Sequence, residues 1–502
     1  MRAAASPQVD RPSSRREHLL DALAVLGCFA YAFAAWWPTR ELPYYWDGLD
    51  LAVRAARAFR YEGVLPLVIR GCESAFAHPP GFPLVLAAAW RVLGDSLLVT
   101  HVVLLAYATL FLAGAYFAGR GLAGRLVGVG AALVVGGFPV FLAEVGDVYL
   151  DLPAAALVTG ALGAWLCERR KTASALFLAA AMTKLPSVLV PMSLSLGVAL
   201  RAWSTTRGEA IGTRLPRAIR LTLREAAPLL AAFVWIPVWL CYHHAVEGWW
   251  LSRPTRAGTP LSGGRVMHDV GAVAVEILLR QYRFVLVGGA ALAYFAARLR
   301  NRRVELAPIA PLLLALVAAI SFFGVFGEFG MRYALFVLPC YALAALYVAR
   351  RSFASPLAPL GIVVGAFGAS CFAWFPPSAP DRTFVVRPAD DLGYLDMIAI
   401  DRRVARFLED RYPRAQVVGS FPESQALTLA FAGYVRAPLD FVSCSDFAPR
   451  SDVTQVVVLH GYAFEQHRCQ RLVDAVGARR VRGFRSHAKW LEVYEVPRRA
   501  SD

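Results

Sequence analysis

Charge is scarce in this chain. Of its 502 residues only 18% are Asp, Glu, Lys or Arg, against 57% hydrophobic, and the mean hydropathy is +0.49. That balance excludes an ordinary soluble globular domain and points to a polytopic membrane protein. Several catalytic and binding signatures are also missing. There is no GxxxxGK[ST] loop, which excludes a P-loop ATPase, and no HExxH or GxSxG pattern of a zinc protease or serine hydrolase. No CxxC pair occurs among the 8 cysteines, which removes the usual zinc ribbons. Cys28, Cys167, Cys241, Cys340 and Cys371 lie in or beside apolar runs and read as small core residues. Cys72, Cys444 and Cys469 lie in polar segments, where a Cys444–Cys469 disulfide is open to the chain on an oxidising side.

What charge there is has one dominant sign. The formal net charge is +16, but the arginines sit in short loops between apolar runs, so membrane topology explains them and nucleic acid does not. A span needs roughly 20 apolar residues. Runs near that length fall at 19–38, 97–118, 126–143, 152–167, 185–201, 227–246, 283–299, 306–326, 333–349 and 356–375, with a shorter one at 172–183. The last is separated from 185–201 by Thr183-Lys184-Leu185-Pro186, a lysine and a proline that must break the helix. Counting 172–183 as a crossing gives eleven spans and puts every basic loop on the N-terminal side: Arg11 to Arg16, Arg120/Arg125, Arg169 to Lys171, Arg201 to Arg224, Arg298 to Arg303 and Arg350/Arg351. By the positive-inside rule that side is cytoplasmic. The run 81–93, with Trp90 and Arg91, is then expected to lie along the outer surface. The basic stretch 201–224 is expected to rest on anionic lipid.

The expected architecture is therefore an α-helical polytopic membrane protein of the plasma membrane. It has a cytoplasmic basic tail at 1–18, a transmembrane domain at 19–375 with outer loops at 39–96, 144–151 and 247–282, and an extracytoplasmic domain at 376–502. The last segment is polar. Short apolar runs at 415–420, 453–460 and 489–496 read as strands, and 401–411, 422–431 and 464–476 have helical spacing, which together predict a small α/β domain.

The unusual polar residues fall on the expected outer side. Tyr44-Tyr45-Trp46-Asp47-Gly48 follows the first span. An interfacial aromatic belt with a capping Asp accounts for part of it, and a carboxylate working at the membrane surface is the functional reading of Asp47. Glu144, Asp147 and Asp151 place three carboxylates within eight residues between two spans, more than capping requires. Such a group can bind a divalent cation, Mg or Mn, through Asp147 and Asp151, or can supply a general base. His78-Pro79-Pro80-Gly81-Phe82-Pro83 is a rigid turn that fixes His78, either as a plain loop-to-helix junction or near an anionic headgroup. Lys184 and Arg332 are cations on the side that disfavours them. Snorkelling is the bland explanation, and phosphate binding the functional one. His243/His244 and Arg253/Arg256 are weaker candidates in the next outer loop.

Taken in order, these motifs resemble the GT-C glycosyltransferases that use a polyprenyl-phosphate-linked sugar, in particular the protein O-mannosyltransferase-like and aminoarabinose lipid A transferase-like groups. Tyr45-Trp46-Asp47-Gly48 matches the acidic first-loop motif, and His78-Pro79-Pro80 the basic residue with prolines. Tyr149-Leu150-Asp151 matches the second-loop motif, followed by Thr183-Lys184-Leu185-Pro186 and Arg332-Tyr333. The chain departs from the pattern in having Ala77-His78 before the prolines and Gly48, not a second acid, after Asp47. The resemblance implies inverting sugar transfer on the outer face, with catalytic Asp47 and Asp151 and with Lys184, Arg332 and His78 neutralising the donor phosphate. The acceptor can be a lipid, a glycan or a protein. The alternative class is a transporter or flippase of lipid-linked or anionic substrates, whose charges belong nearer the midplane than these do.

Overall fold

The computed structural model describes residues 15–65, 67, 78–207, 210–250, 263–326, 329–355, 357–374, 390–461, 466–487 and 489–497. The first apolar run forms α1 (Arg15–Trp36). The following loop is structured. It carries a π-helical turn, Gly48–Val53, then α2 (Arg54–Tyr61) and α3 (Gly81–Leu93). α3 and the loop before α2 are tied to the start of α4 (Leu97–Ala123). The Trp90 indole N–H donates to Thr100 Oγ1 at 2.9 Å, Tyr44 Oη hydrogen-bonds the same hydroxyl at 2.8 Å, and His101 Nε2 lies 3.0 Å from the Leu42 carbonyl.

α5 (Arg125–Gly137) and α6 (Pro139–Gly146) are one apolar run bent by 68°. Proline is the cause. Phe138 is driven to an extended ψ of 131°, and Pro139 opens the next helix where its missing N–H has no partner to lose. α7 (Asp151–Leu166) packs against α4 through glycine, since a Cβ on Gly114 would come within 2.6 Å of Gly160 N. α8 (Arg170–Ala181) stops short of Lys184, whose backbone is extended (φ −153°, ψ 121°). A 3₁₀ turn, Leu185–Val188, then leads into α9 (Leu189–Thr205). The expected break is therefore present. α10 (Ile211–Glu247) takes much of the basic stretch into one long helix. α11 (Gly263–Leu278) is a helix inside the segment expected as an outer loop. α12 (Phe284–Leu299), α13 (Ala310–Phe326), α14 (Leu338–Ser352) and α15 (Ala358–Cys371) complete the helical part. α14 begins five residues later than the apolar run suggested, because a 3₁₀ turn, Met331–Ala334, precedes it. Among the described residues five helices are long and apolar enough to cross a membrane, or six if the bent pair is one span.

The two ends of this bundle differ. At one end Arg120 and Arg125 pair with Asp21 at 3.0 and 3.1 Å beside the start of α1. The C-termini of α1, α6, α8 and α13 and the N-termini of α7 and α14 meet at the other.

The C-terminal part begins with α16 (Tyr394–Arg411) and continues through β1 (Gln416–Gly419), α17 (Glu423–Ala426), β2 (Asp440–Ser443), β3 (Gln455–His460), α18 (Gln466–Val476), β4 (Arg479–Ser486) and β5 (Lys489–Glu495). The sheet order is β2-β1-β3-β5-β4, with β1 parallel to β2 and β3, and β5 antiparallel to both β3 and β4. The three expected strands are present; β2 and β4 are additional. Both are edges, and β4 carries Arg479, Arg480, Arg482 and Arg485, the charge that guards an edge and hides it from an apolar-pattern search. The expected helix at 422–431 is only one turn, α17, followed by a 3₁₀ turn. Alternation divides β1 and β3. Val418, Val457 and Leu459 face α18, where Cys444 and Cys469 form a disulfide, whereas Val417, Val456 and Val458 join the core that runs on into the membrane helices.

Candidate functional site

Asp47, Asp151, Lys184 and Arg332 come from four separate junctions between helices and meet in one cluster. Arg332 donates to Asp47, 285 residues away, and Lys184 donates to Asp151. Arg332 Nε also faces Asp151 Oδ2 at 3.9 Å, so the four charges form a chain of two acids and two cations. Arg332 lies over the Tyr149 ring at 4.0 Å, and Lys184 Nζ over the Tyr333 ring at 4.4 Å. These faces hold both cations in place where water is excluded. Lys184, Asp151 and Arg332 side chains are 6–7% exposed, whereas Asp47 is 28% exposed. Asp47 is thus the more accessible acid of the chain.

Two glycines set the distances. Gly81 donates its N–H to the Met182 carbonyl at 2.7 Å, and a Cβ there would sit 2.6 Å from that oxygen. The turn after His78 is therefore docked directly on the Lys184 break. Burial, and the nearby cations Lys184 and Arg332, push His78 down to about 3, against the opposing pull of Asp151. The shift favours the neutral ring, which can act only as a hydrogen-bonding group. A Cβ on Gly48 would sit 2.9 Å from the Val148 carbonyl and 3.3 Å from Asp147 Oδ1. This explains the departure from the first-loop pattern, because a side chain after Asp47 has nowhere to go.

Asp147 and Glu144 lie behind the cluster. Asp147 Oδ1 accepts from Val148 N at 2.9 Å, and burial pushes its carboxyl up to about 8 although Arg332 and that N–H pull it down. Glu144 is fully buried. Among the described residues no group of three or more His, Cys, Asp or Glu is arranged to hold a metal ion. Asp151 is engaged by Lys184 and faces Arg332, and burial disfavours the charged form of Asp147. The donor set that was expected to take Mg or Mn through Asp147 and Asp151 does not fit a divalent cation, and two cationic side chains already stand where it would act.

Other sequence candidates lie elsewhere. His243 belongs to an aromatic cluster with Trp239, Tyr242 and Trp249, its Nδ1 3.0 Å from the Trp249 carbonyl. Arg253, Arg256 and Cys72 lie outside the described residues. Sequence reading missed the contribution of the C-terminal domain. Asp390 Oδ1 accepts from the Arg332 backbone N–H at 3.3 Å, the Tyr394 ring stands 6.2 Å from that of Tyr45, and Phe421 meets Trp46. No local pattern marks these residues, since their partners lie from 58 to several hundred positions away.

No protein-family model matches the chain, and no curated protein matches it either. Its fold is similar to that of ArnT from Cupriavidus metallidurans. The crystal structure of ArnT bound to undecaprenyl phosphate gives a TM-score of 0.51 at 15% identity, covering 96% of this chain and 98% of that one. The apo crystal structure gives 0.49 at 15% identity, covering 94% and 98%. The first of these shows that the fold of the whole chain, membrane helices and C-terminal domain together, is ArnT-like.

Proposed function

We propose that this protein is a membrane glycosyltransferase that moves a sugar from a polyprenyl-phosphate donor to an acceptor hydroxyl on the outer face of the plasma membrane. The observation that carries the reading is the convergence of Asp47, Asp151, Lys184 and Arg332. The fold likeness to a protein crystallised with undecaprenyl phosphate supports it. So does the clustering at helix ends, where the headgroup of a carrier lipid resides, away from the midplane a transporter would use.

The chemistry follows from the ion pairs. A donor phosphate that arrives beside Lys184 and Arg332 competes with the carboxylates for both cations. As the bond between the sugar C1 and the phosphate oxygen breaks, the electron pair stays on the phosphate, and Lys184 and Arg332 stabilise the added charge. Arg332 drawn toward the phosphate releases Asp47, which regains basicity and takes the proton of the acceptor hydroxyl as its oxygen bonds to C1. One displacement of this kind inverts the anomeric centre. Asp151 holds Lys184 in position, and neutral His78 offers the phosphate a hydrogen bond. A divalent cation is not part of this scheme.

The Cys444–Cys469 disulfide and the basic residues gathered away from the site support an outer C-terminal domain and a cytoplasmic N-terminus. Reporter fusions after residues 124 and 375 should read inside and outside respectively; reversed signals would break that topology. The central test is Asp47→Asn. It should insert normally and lose transfer by about 10²-fold or more, and a fully active variant would remove the proposed base.

A further inference from the structure

The site pair Asp47–Arg332 is supported at both ends by residues of the C-terminal domain. The three residues before Asp47 are each fixed from there. Tyr44 N donates to the Ala432 carbonyl at 3.0 Å, and Tyr45 Oη donates to Met397 Sδ at 2.7 Å. The Trp46 ring meets the Phe421 ring edge-on at 4.9 Å. Trp46 has a φ of 48°, the left-handed region that a bulky residue enters only when its surroundings impose it. That conformation turns the chain so that Asp47 faces Arg332. Phe421 is itself anchored: Ser420 Oγ lies 3.2 Å from His460 Nε2, and Glu423 Oε2 lies 2.9 Å from the same nitrogen, all three residues being buried. On the other side, Asp390 receives the Arg332 backbone N–H at 3.3 Å, and its carbonyl accepts from Gln281 Nε2 at 3.0 Å. Both members of one catalytic pair thus depend on a domain that contributes no atom to the pair.

We propose that the C-terminal α/β domain is the positioning element of the transfer site. Phe421 and Met397 hold residues 44–46 in the strained turn that aims Asp47, and Asp390 holds the turn that presents Arg332. These are positioning residues, and their role in transfer rests on the function proposed above; their effect on geometry does not.

The test measures geometry and binding separately. In full-length protein with the free cysteines replaced, Asp47→Cys with Arg332→Cys should cross-link readily on mild oxidation. Adding Phe421→Ala should slow cross-linking about tenfold, while the Cys444–Cys469 bond still forms and shows the domain to be folded. Binding of undecaprenyl phosphate is measured in parallel on protein with the native Asp47 and Arg332. Asp390→Ala should weaken it about tenfold, and Asp390→Asn, which keeps the accepting oxygen, should restore it. Unchanged cross-linking in the Phe421→Ala background would overturn the proposal. Failure of Asp390→Asn to restore binding while the disulfide is intact would overturn its second half. Wild-type protein that binds no undecaprenyl phosphate would refute the transferase reading instead, with the cross-linking arm still deciding the positioning role.

Discussion

The buried pair Asp151–Lys184 gives the sharpest quantitative expectation. Replacing Lys184 by Met keeps the length of the side chain and removes its charge. Asp151 is then left 6% exposed with its principal partner gone. Removing one member of a buried pair costs about 3–5 kcal/mol, because the remaining charge is uncompensated. Arg332 Nε at 3.9 Å relieves part of this, so the lower end, about 3 kcal/mol, is expected. Asp151→Asn should destabilise for the converse reason, leaving the Lys184 charge with only the Tyr333 ring and a neutral amide oxygen. The double variant has neither unpaired charge, so the two effects should fall short of additivity by about 2 kcal/mol, well beyond the roughly 0.5 kcal/mol scatter of independent sites. Reversible unfolding in mixed SDS micelles measures all four proteins. Transfer should still be lost in the double variant, since one cation for the leaving phosphate is missing, a deficit of about 1.5–3 kcal/mol or some ten- to hundredfold in kcat/KM. Additive stabilities would show that the two side chains do not share a desolvated pair, and a fully active Lys184→Met protein would show that this lysine does not serve the phosphate.

Three further expectations follow from the same geometry. Gly48→Ala forces a Cβ to 2.9 Å from the Val148 carbonyl and should destabilise by about 1–3 kcal/mol while lowering activity, whereas a neutral outcome in melting and transfer assays would show that the loop yields there. Arg332→Lys keeps the charge but loses the planar fork that reaches Asp47, faces Asp151 and lies on Tyr149. A drop of about tenfold in kcat/KM is expected, and wild-type kinetics would mean that charge alone suffices. For His78 the folded value of about 3 lies below the ordinary histidine value of 6.5, so folding favours the neutral ring. Its contribution to stability is therefore complete above about pH 6.5 and is lost as pH falls toward 3. His78→Asn should shrink the loss of thermal stability between pH 6.5 and 4 and leave the transfer profile above pH 6 unchanged in shape; an activity limb near pH 6.5 that vanishes with His78→Asn would contradict the neutral assignment.

Much of the architecture was legible because membrane constraints act locally. A helix in hydrocarbon must be apolar along its length, and the lysine and proline at Lys184-Leu185-Pro186 stop a helix wherever they fall. β1, β3 and β5 were equally visible, being short apolar runs in a polar segment. The edge strands were not: β4 is kept charged, which guards it against pairing with other chains, and β2 is only four residues long. The helix α11 was hidden in a segment whose composition reads as loop. At the cluster, Asp47, Asp151, Lys184 and Arg332 are each singled out in the sequence, and the structure brings them together. The environment of His78 and the partners of Asp151 were not legible in the sequence, because both depend on burial and on which cations stand nearby.

Sequence alone determined the apolar runs, their breaks, and the gathering of Asp47, Asp151, Lys184 and Arg332 at chain junctions that the arginine bias assigns to one side. Those features are written in nearest-neighbour chemistry, the length of hydrophobic stretches and the backbone limits of proline. Tertiary structure decided the pairing: Asp47 with Arg332, Asp151 with Lys184, Gly48 against Val148, and Trp46 held in its left-handed turn by Phe421. Contacts between residues distant in sequence have no local signature, and the energy of a buried charge is fixed only when the fold has chosen its neighbours.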